Sequence, residues 1–107
     1  MRDFPVEVRG VLGYALRVAQ QGGKHPDAKP LQGFGGAGVL EVVDDYDGDT
    51  YRAVYTVKFA GMVYALHAFQ KKSKTGRATP QKEINRIKTN LQKAAEHYRA
   101  VVEGSNA

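Results

Sequence analysis

The sequence predicts one α+β domain, in which an N-terminal helix, a three-stranded antiparallel meander and a C-terminal helix follow one another. Apolar residues recur at helical spacing near both ends of the chain, whereas residues 51–59 alternate between the two faces of a strand. The chain has 107 residues, which fits one domain and leaves no room for two independent cores. We therefore expect a single domain over residues 1–107.

The first element is a helix over residues 5–21. Pro5 suits its first turn, where the missing N–H group leaves no hydrogen bond unmade. Apolar residues follow at helical spacing until Gly22-Gly23 ends the run. Residues 22–38 contain six glycines and two prolines, so they predict a loop.

Three strands and a second helix complete the predicted fold. The strands cover residues 39–43, 51–59 and 62–71, with turns at 45–49 and at Ala60-Gly61. The last helix begins near Thr79, a suitable N-cap, with Pro80 at the first helical position. An apolar stripe continues along it to about residue 102, and residues 104–107 should fray.

A two-residue turn at Ala60-Gly61 fixes which residues of the last two strands face each other. Residues whose numbers sum to 121 are then paired, so Arg52 faces Phe69 and Val54 faces His67. Tyr55 faces Leu66 in the same register. One sheet face becomes an apolar core face, and the other collects polar and aromatic side chains of both strands: Arg52, His67, Phe69 and Lys71.

Charge is unevenly distributed along the chain. The net charge is +5, and residues 67–88 carry seven basic side chains and one acid, Glu83. A small basic domain favours an anionic partner such as nucleic acid. The absence of cysteine excludes disulfides, thiolate zinc sites and a cysteine nucleophile. No segment resembles a signal peptide or a membrane span, so we expect a cytoplasmic protein.

The polar face suits cleavage of an RNA phosphodiester through its own 2′-hydroxyl, a reaction that needs neither a metal nor a cofactor. Arg52 can hold the phosphate as a fork, and His67 can act as acid or base near neutral pH. Neighbouring lysines oppose one another's charge, so Lys71 or Lys72 can serve as the base. Phe69 can stack on an unpaired base.

Structural interpretations of the same residues stay open. A lysine-rich stretch is usually a solvated turn, and a single histidine on a strand is more often structural than catalytic. The glycine pattern at residues 33–38 precedes a strand, whereas a dinucleotide site requires it between a strand and a helix. We interpret that segment as a loop.

Three stretches of the chain resemble a known family: residues 51–55, the block from Leu66 to Lys74 that contains "HAFQKKSK", and Thr79-Pro80. They are similar to the phage-derived HigB-type toxins of the RelE/ParE superfamily, and the resemblance runs from Phe4 to about residue 95. Members of this family usually begin with a β-strand before the first helix. This chain starts almost at the helix, so we expect that strand to be absent or its sheet position to be filled another way.

The resemblance implies a type II toxin, an mRNA endonuclease that acts on the translating ribosome. It also implies a HigA-like helix-turn-helix antitoxin that inhibits the toxin, with operator DNA bound only through the complex. By matching position, the resemblance assigns the catalytic role to Arg52, His67, Lys71 and Lys72, and a phosphate contact to Lys74. We also expect Arg77 and Phe69 to contact RNA. The alternative is a non-catalytic binder, either a ParE-like gyrase poison or a module that binds antitoxin or nucleic acid.

Overall fold

The computed structural model describes residues 3–34, 38–71 and 79–105, and it has the predicted α+β fold. Two helices enclose a four-stranded antiparallel sheet with the strand order β1-β2-β3-β4. The elements, in chain order, are α1 (Val6–Gln20), β1 (Lys29–Pro30), β2 (Val39–Tyr46), β3 (Asp49–Thr56), β4 (Tyr64–Lys71) and α2 (Gln81–Ser105).

Helix α1 forms where the helical spacing predicts it. The buried residues Val8, Leu12, Ala15 and Ala19 recur every three or four positions and form one apolar stripe. The helix ends at Gln20 because the chain then turns through Gly22, whose φ of 86° suits glycine far better than any other residue.

The sheet has one strand more than the sequence predicts. Strand β1 lies inside the segment predicted to be a loop over residues 22–38, and it pairs with β2 through Lys29 opposite Glu41 and Pro30 opposite Leu40. An edge strand tolerates Pro30 because its missing N–H group faces away from the ladder. Residues 3–5 form no strand before α1, and the edge position beside β2 is occupied by β1.

Strand β2 is longer than predicted, because it continues through Asp45 to Tyr46. The turn to β3 is made by Asp47 and Gly48, which have φ values of 52° and 84°. Positive φ at both central residues is typical of a two-residue type I′ turn, whose twist matches that of the flanking strands. The aspartate-rich segment therefore ends as a tight hairpin.

The predicted register of β3 and β4 is correct in one half and wrong in the other. Arg52 faces Phe69 and Val54 faces His67, as predicted, but Tyr55 faces Ala65. A β-bulge lies between these pairs and leaves Leu66 as the extra residue. Strand β3 also ends earlier than predicted, at Thr56, and β4 begins later, at Tyr64. In the turn between them, the N–H of Met62 donates to the carbonyl of Phe59.

Helices cover both faces of the sheet, so the expectation of a single packed face is wrong. Helix α1 packs on the face that carries Tyr51, Ala53 and Tyr55. Helix α2 packs on the face that carries Val54 and Phe69, and it contacts Leu66, which the bulge turns to this side. The predicted polar face is therefore largely covered by α2.

Helix α2 begins at Gln81, one residue after Pro80, whose carbonyl accepts the N–H groups of Glu83 and Ile84. It buries Ile87 and Ala94 against the sheet. The helix continues to Ser105, so it includes Gly104 and Ser105 of the segment for which we predict fraying.

Candidate functional site

Arg52 on β3 is held by a carboxylate of the neighbouring strand. Its Nη1 donates to Oε2 of Glu41 on β2 at 2.9 Å, and the two side chains are only 12% and 15% exposed. Glu41 faces Val54 in the ladder, two residues along β2 from Val43, the partner of Arg52, so the two charged groups meet diagonally. The guanidinium retains other donors, because an arginine has five N–H groups.

His67 on β4 is held in a similar way by helix α2. Its Nε2 is hydrogen-bonded to the carboxylate of Glu83, in the first turn of that helix. Its ring stacks on Phe69, with 5.3 Å between the ring centroids and 23° between the planes. The imidazole is 21% exposed. A histidine in this setting has a fixed ring orientation and remains accessible from one side.

Phe69 does not have the accessibility that stacking on RNA requires. The residue is 8% exposed and belongs to the core formed with Ile87 and Leu66. Its position opposite Arg52 is as predicted. Its ring, however, packs beneath helix α2, which the sequence did not predict on this face of the sheet. We therefore assign Phe69 to the support of His67 and to the core.

Arg52 and His67 lie on the same face of the sheet. They occupy diagonal positions on adjacent strands. Residues in this relation are typically about 7–8 Å apart in the sheet. Arg52 turns towards β2, however, and His67 turns towards α2. The structure thus brings the two groups to one region and engages each of them with a separate carboxylate.

The remaining predicted residues fall at the edge of the described region or beyond it. The backbone of Lys71 ends β4 and faces Thr50. The side chain of Lys71 and the whole of Lys72, Lys74 and Arg77 lie outside the described residues.

A cavity of about 500 Å³ opens beside Arg52, between the edge strand β1 and the beginning of α2. Its charged lining includes Lys29, Glu41 and Lys88 in addition to Arg52. Thr79, the predicted N-cap, lines it as well, and its Oγ1 is buried with no hydrogen-bond partner in the described ranges of the chain. This combination of basic and hydroxyl groups is suited to an anion.

Sequence reasoning missed most of these neighbours. Glu83 had a visible signal, since it is the one acid among the basic residues of 67–88. Glu41 and Lys29 had none, because they reach the site through a strand pair, and the two-residue strand β1 has no alternation to detect. Among the described residues, no cluster of three or more His, Cys, Asp or Glu side chains is arranged to hold a metal ion.

Most of the chain matches the model of a known protein family. Residues 1–92 match the family described as phage derived protein Gp49-like (DUF891), a family associated with RelE-like toxins of toxin–antitoxin systems. Neither the comparison with curated proteins nor that with solved structures gives a significant match. In the part of the chain that the structure describes, neither helix has the length and apolar character needed to cross a membrane.

Proposed function

We propose, because the chain belongs to the family of phage-derived Gp49-like proteins, that it is the toxin of a type II toxin–antitoxin system and cleaves mRNA on the translating ribosome. The observation that supports this function best is the strand register that sets Arg52 and His67 on one sheet face. An imidazole held by Glu83 then shares this face with a guanidinium, and these two groups suit phosphodiester cleavage.

The proposed reaction uses the 2′-hydroxyl of the RNA as nucleophile, so it requires no metal ion. The 2′-oxygen forms a bond to phosphorus while the bond to the 5′-oxygen breaks. A base takes the 2′-hydroxyl proton, and an acid gives a proton to the departing 5′-oxygen. His67 fills one of these roles, and Lys71 or Lys72 is the second group. Arg52 stabilises the phosphorane charge, and Lys74 and Arg77 contact flanking phosphates.

The proposed partners follow from the same function. A HigA-like helix-turn-helix antitoxin holds the toxin inactive, and operator DNA is bound only through the complex of the two proteins. The toxin itself engages the ribosome and its mRNA in the cytoplasm. Its net charge of +5 is suited to these anionic RNA partners.

Cleavage of mRNA on purified ribosomes, mapped by primer extension in the presence of EDTA, tests this function. We expect His67→Gln to lower the rate by about 10²–10⁴-fold, the usual contribution of an acid or base. Arg52→Lys should lower it by about 10²–10³-fold, because the fork on the phosphate is lost. Lysine is preferable to alanine here, since it leaves a cation opposite the buried Glu41.

Matched controls separate the site from general effects of charge. His25→Gln changes a histidine in the α1–β1 loop, and Arg17→Lys changes an exposed arginine in the last turn of α1. Both variants should cleave at the wild-type rate. Full cleavage by folded His67→Gln and Arg52→Lys proteins would show that the proposed site is wrong.

A second function is favoured by one observation. Arg52 and His67 are each engaged by a carboxylate, as in structural ion pairs, which suits a binder without catalytic activity. A ParE-like gyrase poison or a module that binds antitoxin or nucleic acid would have such a surface. Cells that express a gyrase poison stop replicating while their mRNA stays intact, so RNA sequencing together with DNA-synthesis labelling distinguishes the two functions.

A further inference from the structure

The cavity beside Arg52 carries more positive than negative charge. Its lining includes three basic side chains, Lys29, Arg52 and Lys88, and one carboxylate, Glu41. These residues come from three strands and a helix, so only the folded chain brings them together. Like charges gathered around a concave surface concentrate their field inside it, where an anion is stabilised.

Two buried polar atoms at the cavity have no hydrogen-bond partner among the residues that the structure describes. They are Nε of Arg52, which is a donor, and Oγ1 of Thr79, which can donate. Buried polar atoms in folded proteins are almost always hydrogen-bonded, so each such exception requires an explanation. A ligand with several acceptor oxygens in the cavity would satisfy both atoms.

The beginning of α2 adds a third contribution. Gln81, the first residue of this 25-residue helix, lines the cavity. The N–H groups of a first helical turn have no partner within the helix, and the helix dipole favours negative charge at this end. The carboxylate of Glu83, which would oppose an anion here, is directed to His67.

We propose that this cavity binds a phosphate group of single-stranded RNA, with Lys29, Thr79 and Lys88 as phosphate-binding residues and Arg52 shared between Glu41 and the phosphate. The inference rests on the proposed function, since it names RNA as the source of the phosphate. A volume of about 500 Å³ lies within the usual range of ligand pockets, so the phosphate can enter with part of its nucleoside.

The first test measures the affinity of a fluorescent 2′-O-methyl oligoribonucleotide, which cannot be cleaved, at several salt concentrations. Each phosphate contact that is lost lowers the slope of log K against log salt by about 0.7 for a single strand. We expect that decrease for Lys29→Ala and for Lys88→Ala. Lys58→Ala, an exposed lysine that does not line the cavity, should leave the slope unchanged.

The second test follows arginine side-chain N–H resonances while inorganic phosphate is added. The Arg52 Nε–H signal should shift in a saturable way, whereas that of Arg9 should not. Arg9 is the matched control because its Nε is also buried with no partner among the described residues, but it lies on α1 and does not line the cavity. Thr79→Val removes the hydroxyl at nearly constant volume and should weaken phosphate binding about tenfold.

The two tests separate this inference from the proposed function. The phosphate site would be wrong if both lysine variants kept the wild-type slope of log K against log salt. It would also be wrong if the Arg52 Nε–H signal did not shift on addition of phosphate. Either result would overturn the site even if the protein cleaves mRNA. An Arg52 signal that shifts with inorganic phosphate but not with the oligonucleotide would overturn its assignment to RNA. If the lysine variants lower the slope and the wild-type protein cleaves no mRNA, the results support the phosphate site and contradict the endonuclease function.

Discussion

Tyr55 lies at the centre of the core between α1 and the sheet, and its side chain is fully buried. Its hydroxyl has no hydrogen-bond partner within the described residues. Burial raises the pKa of this phenol, because the surrounding apolar atoms disfavour the phenolate. The aromatic ring therefore stabilises the fold by packing, while the hydroxyl opposes it.

We expect Tyr55→Phe to raise the free energy of unfolding by about 1 kcal/mol, because it removes an unsatisfied buried group and keeps the ring. The raised pKa also has a consequence for pH. The stability that depends on neutral Tyr55 is fully present below pH 10 and is lost as the pH rises further. Between neutral and high pH, the Tyr55→Phe variant should therefore lose less of its free energy of unfolding than the wild type does.

Urea denaturation at pH 7 and at pH 10.5 measures both effects. Tyr98→Phe is the matched control, since the Tyr98 hydroxyl donates to the carbonyl of Ala60 and its removal should lower stability. A Tyr55→Phe protein less stable than wild type at pH 7 would show that the hydroxyl has a favourable partner.

Helix α2 and strand β4 are joined at the β-bulge by one polar contact. The Nδ2 of Asn90 donates to the backbone carbonyl of Leu66 at 2.6 Å. Leu66 is the extra residue of the bulge, and its side chain is buried in the core beneath α2. The amide thus supplies a hydrogen-bond donor from α2 to the carbonyl of the extra residue.

Replacing Asn90 by aspartate should destabilise the fold by about 1–3 kcal/mol, because a carboxylate oxygen cannot donate to the Leu66 carbonyl and repels it. Thermal unfolding measures the loss. Gln81→Glu is the corresponding control at the start of the helix, where Gln81 hydrogen-bonds Asn85 at an exposed position, and it should change stability by less than about 0.5 kcal/mol. Equal losses in both variants would contradict a specific role of Asn90.

Strand alternation was sufficient to predict that Arg52 faces Phe69 and that Val54 faces His67, because a period of two fixes the face of every residue in a regular strand. The bulge at Leu66 was not predictable, since one extra residue leaves no sign in the apolar pattern. The partners of the site residues were equally hidden. Glu41 and Glu83 reach Arg52 and His67 from other elements, and contacts of that kind depend on packing.

At the scale of the whole molecule, the described residues form two hydrophobic cores, one on each face of the sheet. Val8 of α1 is fully buried in the first core, and Ile87 of α2 is fully buried in the second. Neighbouring residues of β3 contribute to both cores, with Ala53 and Tyr55 on one side and Val54 on the other. We therefore expect the two cores to unfold together, as one cooperative unit.

Two conservative core substitutions test this expectation. Val8→Ala should lower the free energy of unfolding by about 2 kcal/mol, and Ile87→Val by about 1 kcal/mol. Because the sheet separates the two sites, the double variant should show the sum to within about 0.5 kcal/mol, in a single urea transition by circular dichroism and tyrosine fluorescence. Val6→Ala, at a residue 66% exposed, is the control with little effect. Two separate transitions would contradict a single cooperative unit.

The β-bulge divides the β3–β4 hairpin into two independent parts. On one side lie the residue pairs that carry Arg52 and His67, and on the other lies the connection from Val57 to Val63. A bulge can absorb a change in residue count, so a longer or shorter connection can be accommodated without moving His67 to the other face of the sheet. The tip of this hairpin is therefore a suitable place to insert a reporter group or an affinity tag.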